Sequence, residues 1–302
     1  MHWKVKGLIQ IFLSKIPFGN KINHKFQILR GSHSEEKLLN QVLVQSERIR
    51  DFNKRKSIEK KSVLEFGTGW HLIGVILFYL KGAEKIYGFD INYNFSFKIA
   101  KQLVKVIYQN LDLVSDALGV KYDLLKDRCE KIHNSDTEKI LFSNLNFEYN
   151  APGDVRSTKL KSNTLDIIFS YGVIEHIPTK DLIEVFSETK RIMRKDGRHY
   201  HVIGTHDHYS YAGLGNGVNF LRYSSWHWFL MTGNSLSYHN RLRISDYQRI
   251  FKNLGFRVEY QDKELLTKNL KILETLPINI MFQGYSKEDL AASTYYVDLT
   301  KC

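Results

Sequence analysis

Apolar residues along the chain fall in short runs, separated by glycine turns and amphipathic stretches. Residues 62–66 (Ser-Val-Leu-Glu-Phe) form an apolar strand pattern that ends in Gly67-Thr68-Gly69, and a helix-compatible stretch follows to Leu80. Residues 85–90 read as a second strand and 95–112 as a helix. Strand, glycine turn, helix, strand is the βαβ unit of a doubly wound sheet. Upstream, residues 34–60 read as one or two polar helices. Downstream, 113–144 are mixed and charged, read as a helical insertion, and 146–149 make a third strand leading into Pro152-Gly153-Asp154. Residues 165–170 are a buried strand. Residues 179–195 are an amphipathic helix that stops at Asp196-Gly197, a glycine stop signal. A strand follows at 199–204. Residues 205–243, rich in Gly, Tyr, Trp and His, have no clean period. Residues 245–254 form a helix, and 256–260 and 294–299 look like the last two strands.

The expected fold is therefore α/β: a doubly wound, Rossmann-like, seven-stranded and mostly parallel sheet with helices on both faces. The expected organisation is an N-terminal helical segment, 1–60, and one domain, 61–302, with insertions at about 113–144 and 205–243. A chain of 302 residues can bury a full core in such a domain.

Composition narrows the setting. The two cysteines, Cys129 and Cys302, have no metal-site spacing, which fits a reducing cytoplasm. Lys and Arg total 44 against 32 Asp and Glu, a formal charge of +12. That suits a polyanion, nucleic acid or anionic lipid, and equally a merely lysine-rich solvated surface. No apolar run reaches the roughly 18–20 residues that span a bilayer. Near the N-terminus Gln10 and Lys15 break the run a signal peptide would need. Val5, Leu8, Ile9, Phe12 and Ile16 fall at helical spacing beside Lys4, Lys6 and Lys15. Such a helix can lie on an anionic membrane or pack its apolar face on the domain, and packing is the default expectation.

The glycine turn carries the first chemistry. Glycines after a first strand let the backbone approach a nucleotide-like ligand. Asp90, ending the second strand, can accept from both hydroxyls of a ribose. A dinucleotide fingerprint would want a third glycine at position 72, which is Leu, and Glu65 is unwelcome beside a pyrophosphate but suits a cationic aminoacyl group. Both departures favour S-adenosylmethionine (SAM) over NAD or FAD.

The ordered set Val-Leu-Glu-Phe-Gly-Thr-Gly (63–69), Gly-Phe-Asp (88–90), Gly-Asp-Val (153–155), Leu-Asp-Ile-Ile-Phe-Ser-Tyr-Gly-Val-Ile-Glu-His-Ile (165–177) and Arg-Ile-Met-Arg-Lys-Asp-Gly (191–197) resembles class I SAM-dependent methyltransferases, within the broad methyltransferase-domain group. The resemblance covers about residues 60–205 and implies an enzyme with SAM as cofactor and an antiparallel last strand. It implies that Glu65, Gly67, Thr68 and Gly69 lie against the methionine moiety and that Asp90, with Ile91 beside it, holds the ribose. It further implies that Asp154 and Val155 frame the adenine and that Ser170, Tyr171 and Gly172 line the pocket below the sulfonium. Residues 219–224, 233–234 and 238–243 also resemble methyltransferase-like proteins of bacterial surface-polysaccharide gene clusters. That implies a sugar or glycolipid-linked acceptor, with the 205–243 insert as a lid.

A hydroxyl acceptor benefits from a general base. His206, Asp207 and His208 follow the fifth strand at the ligand end, and His176 follows the fourth. For each histidine a structural role is the more ordinary one; as a group they hold the candidate base. His199, His201, His206 and His208 do not make one metal site, because the first two enter their strand at the opposite end, so no metal is expected. An RNA methyltransferase and a non-catalytic SAM-binding partner protein stay open as alternatives. Base-amine methylation is disfavoured because Ser170-Tyr171-Gly172-Val173 stands where an Asn/Asp-Pro-Pro-aromatic turn would be. The expected partner is a small-molecule or glycan acceptor, with peripheral contact with an anionic membrane left open and nucleic acid less favoured.

Overall fold

The computed structural model describes residues 3–16, 19, 22, 33–213, 216–234, 236 and 238–302; the rest of the N-terminal segment and of the 205–243 insert lies outside the described residues. Strands β1 (Ser62–Phe66), β2 (Lys85–Phe89), β3 (Phe147–Asn150), β4 (Leu165–Tyr171), β5 (Met193–Gly204), β6 (Phe256–Leu265) and β7 (Ala292–Lys301) form one sheet in the order β3-β2-β1-β4-β5-β7-β6. β1 pairs in parallel with β2 and β4, β2 with β3, and β4 with β5; β7 runs antiparallel to both its neighbours, β5 and β6. The winding reverses between β1 and β4. Loops at the carboxyl ends of these strands diverge there and leave the crevice in which open α/β sheets bind ligands.

β1 and β4 are apolar almost throughout because both faces are covered. Successive side chains point to opposite faces. Val63 and Ile167 therefore meet α2 (Glu35–Arg55), α3 (Ile73–Lys81), α4 (Phe97–Gln109), α5 (Leu111–Leu118), α6 (Tyr122–His133) and α7 (Glu138–Asn144), through residues such as Phe52, Phe78 and Leu125. Leu64 and Ile168 meet α8 (Thr179–Ile192) and α10 (Ile244–Asn253), through Phe186 and Phe251.

The structure corrects several boundaries. The helix expected over 95–112 is two helices, broken at Asn110, whose side-chain amide donates to the Val106 carbonyl. The helix expected to reach 195 ends at Ile192, and Gly197 lies inside β5, not at a helix stop. Met193 pairs with Leu165 ahead of a register shift in β4, and a Cβ on Gly197 would lie 2.4 Å from the Met193 side chain. Arg194, Lys195 and Asp196 are exposed, so the polar pattern there could not separate a helix end from a strand start. β6 runs to Leu265, five residues past its expected end, with exposed side chains that give no apolar signal.

The N-terminal helix departs further from expectation. In α1 (Trp3–Ser14) the packed face holds Gln10 and Leu13, while Val5, Leu8, Ile9 and Phe12 are exposed, Leu8 and Phe12 by 66% each. It packs on α9 (Ser225–Thr232) of the insert, where Tyr209 donates to the Gln10 side-chain carbonyl at 3.4 Å. The apolar stripe thus faces away from the domain. The insert has its own small core of Tyr209, Val218, Phe220 and Trp228, closed by Leu273 of α11 (Thr267–Leu273) and Leu290 of α12 (Lys287–Ala291). Packing explains Trp228 but not Trp226 and Phe229, which are exposed.

Candidate active site

Beyond β1, β2 and β4 lies a cavity of about 280 Å³. Of the residues expected at the cofactor site, Gly67, Asp90, Ile91, Asp154 and Val155 line it. Backbone bonds knit its loops: the Gly67 amide donates to the Phe89 carbonyl at 2.8 Å, and the Gly153 amide to that of Asp90 at 2.8 Å. Gly67 and Gly69 have φ of +76° and +70°, a conformation that side chains resist. A Cβ on Gly67 would lie 2.3 Å from Val173, whereas one on Gly69 would meet nothing within 4 Å. One side of the glycine loop is pressed on the β4 loop, and the other faces open space.

Asp90 is buried, and its Oδ2 accepts from the hydroxyls of Thr68 at 2.5 Å and Tyr149 at 3.0 Å. Burial raises its carboxyl above the usual range, and these donors pull it back down. Two adjacent hydroxyl donors are what a ribose cis-diol presents, so the carboxylate is already set for that pattern.

Glu65 is buried beside the start of α3, where the Val75 amide donates to it and its Oε2 has no partner. Gly74 makes the room: a Cβ there would lie 2.4 Å from the Glu65 carboxylate. Burial, then the nearby Asp90, pushes the Glu65 carboxyl up to about 8. Between its ordinary value and about 8 the folded protein holds a proton that the unfolded chain releases. Stability therefore falls as pH rises through that window, by at most about 1.4 kcal/mol per unit for this group. Glu65→Gln is expected to make the decline from pH 5.5 to 7.5 in urea-denaturation stability visibly shallower. An unchanged slope would refute this assignment.

The other expected cofactor residues are placed differently. Asp154 is tied to Arg156, whose Nη2 donates to Oδ2 at 2.7 Å and holds the carboxyl below the usual range. Val155 and Ile91 supply the apolar walls. Ser170 is buried in the core, its hydroxyl 2.8 Å from Nδ1 of His201. Gly172 donates its amide to the Val202 carbonyl at 2.9 Å. Ser170, Tyr171 and Gly172 do not line the cavity, nor do Glu65, Thr68 and Gly69. Asn92, Asn94, Arg156 and Asp181 do, and sequence reasoning missed them. The run of polar residues just past the second strand was the available signal for the two asparagines.

The candidate bases gather on the far side of His176, which also lines the cavity. The ring centroids of His176 and His208 are 4.9 Å apart, those of His206 and His208 5.3 Å, and those of His208 and His239 4.6 Å. Asp207 does not serve as the orienting carboxylate that adjacency suggests. It caps the turn His208–Ala212 by accepting from the Tyr209 amide at 2.9 Å. The carboxylate facing His208 is Glu175, with Oε1 3.9 Å from Nε2. Burial pushes Glu175 up to about 8 and, with His176 and His206 adding to it, His208 down to about 3, so both are neutral at pH 7. His199 and His201 form a separate pair, 3.1 Å apart inside the core.

The donor chemistry fits SAM. A glycine loop with the Asp90 carboxylate at the cavity wall and no basic side chain of its own suits a nucleoside and not a pyrophosphate. Leu72 is fully buried in the core at the place of the missing third glycine, with a φ of +57°. A sequence profile of the methyltransferase domain matches residues 40–261. The chain belongs to the methyltransferase-domain family. It is accordingly a SAM-dependent methyltransferase with S-adenosylmethionine as its cofactor. No curated protein matches the methyltransferase in sequence. Among solved structures, it is similar to a geranyl diphosphate methyltransferase in complex with SAM (13% identity, 89% of this chain and 90% of that chain, TM-score 0.48). It is also similar to the geranyl diphosphate C-methyltransferase of Streptomyces coelicolor A3(2) (11%, 90% and 86%, 0.47). A third is a SAM-dependent methyltransferase from Mesorhizobium loti (12%, 80% and 91%, 0.43). No acceptor is inferred from likenesses this remote.

Proposed function

We propose that this methyltransferase methylates a hydroxyl oxygen of a sugar or glycolipid-linked acceptor presented at an anionic membrane surface. The observation that carries the reading is the Glu175, His176, His208 and His239 cluster beside the cavity, under an aromatic insert. SAM supplies a methyl group on a sulfonium: the acceptor oxygen forms the new O–C bond as the C–S bond breaks, and its electron pair goes to sulfur. The chain's residues do the rest. Asp90 takes the ribose hydroxyls, Ile91 and Val155 wall the base, and the glycine loop gives the aminoacyl end room. The hydroxyl proton leaves to the histidine cluster through His176, the member that lines the cavity. Holding the acceptor in line with the breaking bond supplies much of the rate.

The test is transfer of a labelled methyl group from SAM to glycan, glycolipid and RNA fractions. Label recovered as O-methyl sugar after acid hydrolysis is the expected result, and label confined to RNA would overturn the reading.

No helix among the described residues is long and apolar enough to cross a membrane. The exposed stripe of α1 lies beside α9, which exposes Trp226, Phe229 and Leu230, and Lys4 and Lys15 are exposed near the stripe. Apolar anchors ringed by lysine match the interface of an anionic bilayer. This would put the lid of the site against a lipid-linked acceptor at the cytoplasmic face. The double variant Leu8→Glu/Phe12→Glu is expected to lose co-sedimentation with phosphatidylserine vesicles by at least about tenfold, two buried apolar side chains being involved. Unaltered sedimentation would remove the membrane from the account.

A further inference from the structure

Glu175, His176 and His208 come from two loops that the sheet brings together, after β4 and after β5. One donor atom from each lies within 4.8 Å of the others. Bonds of about 2.1 Å to one ion require donors within about 4.2 Å, so small side-chain shifts suffice. The space between them is kept open by the backbone: a Cβ on Gly204 would lie 2.6 Å from Glu175 Oε1 and 3.1 Å from His208 Nε2. His176 is already in the form a ligand needs. Its Nδ1 hydrogen-bonds the Tyr238 carbonyl at 2.7 Å, which directs the lone pair of Nε2 outward, as in zinc sites whose histidines donate their second nitrogen to a carbonyl.

Three further atoms have no partner where burial makes that costly. Glu175 is 2% exposed and its Oε2 accepts no hydrogen bond. His239, 5% exposed, leaves both ring nitrogens without a partner, and its ring lies 4.6 Å from that of His208 and 6.2 Å from that of His176. Buried polar atoms are nearly always satisfied, and such exceptions mark missing ions, waters or ligands.

We propose that Glu175, His176 and His208 bind one divalent first-row transition-metal ion, with His239 as a fourth donor, on the acceptor side of the cavity. One carboxylate and two or three imidazoles suit zinc, manganese or iron(II), whereas magnesium and calcium favour all-oxygen shells. The ion offsets the burial of the carboxylate, and neutral imidazoles are the form that ligates. His176 belongs to both the cluster and the cavity wall; with the ion bound, His176 and His208 ligate it instead of accepting the proton, and the ion would lower the pKa of the acceptor hydroxyl, which releases its proton to water. This role rests on the O-methylation reading above; the binding of the ion does not.

The test is titration of cobalt(II) into chelator-treated full-length protein, followed by its visible d–d absorption and by calorimetry, with circular dichroism and SAM binding measured on the same samples. Wild type is expected to take up one equivalent. His208→Ala, at a partly exposed position, is expected to bind at least 100-fold more weakly while retaining its fold and its SAM affinity. Glu175→Gln is expected to behave in the same way, and His133→Ala, in α6 and outside the cluster, to match wild type. No stoichiometric cobalt in folded wild type, or unchanged binding by His208→Ala, would overturn the proposal. Cobalt binding by a protein that methylates RNA and no hydroxylated glycan would leave the site standing and refute the acceptor reading alone.

Discussion

Replacing Asp90 by Ala is expected to weaken SAM binding by at least about 100-fold, measured by calorimetry on protein whose circular dichroism is unchanged. The carboxylate is the only acidic group at the end of β2, and its two hydroxyl donors, Thr68 and Tyr149, occupy the pattern that ribose would present. Loss of two hydrogen bonds to a charged acceptor costs about 3–6 kcal/mol, which converts to roughly 10²–10⁴ in Kd. The substitution also frees Thr68 and Tyr149, both of which can turn to water. Asp90→Asn is the sharper control: it keeps the shape but loses the charge and an acceptor, so its effect should fall between wild type and Ala. Equal affinities for all three proteins would take Asp90 out of the cofactor site.

The second large effect concerns turnover. His208→Ala is expected to lower kcat by roughly 10²–10⁴, the usual contribution of acid–base machinery, by disrupting the cluster behind His176, with the KM for SAM little changed. The split between the two constants follows from position: His208 lies beside Glu175 and His239, beyond the residues that line the cavity. Asp207→Ala should have a different signature. The Asp207 carboxylate caps a turn, so its removal is expected to reduce stability by about 0.5–2 kcal/mol and turnover far less. A larger kcat loss in Asp207→Ala than in His208→Ala would reverse this assignment.

The sheet was legible because its strands are buried on both faces. Continuous apolar runs at 62–66 and 165–170, each ending in glycine or a polar turn, allow few alternatives to a parallel strand, and Asp90 marks the ligand end of the second. The edge was less legible. β6 exposes most of its side chains, so neither continuity nor alternation reported its length. Near Met193 a helix passes directly into a strand, and three charged residues hide the junction.

The site was legible only in part, for a similar reason. Gly67 and Asp90 line the cavity directly past β1 and β2, and Val155 lines it from the turn that follows β3. Side-chain direction was not readable: Ser170 points into the core toward His201, and Asp154 is held by Arg156. Adjacency in sequence paired His208 with Asp207, whereas the turn that Asp207 caps brings His208 to Glu175. His239 comes from an insert without periodicity and could be placed beside His208 only by the fold. The N-terminal helix shows the converse. Its apolar spacing was plain, but spacing alone could not say whether that stripe meets protein or lipid.

The central claim, a SAM site at the carboxyl ends of β1 and β2, is tested most directly by calorimetric titration of SAM and NADH into the full-length protein. One molecule of SAM bound per chain, with no heat from NADH, is the predicted result. A folded protein that takes up NADH, or neither ligand, would contradict it.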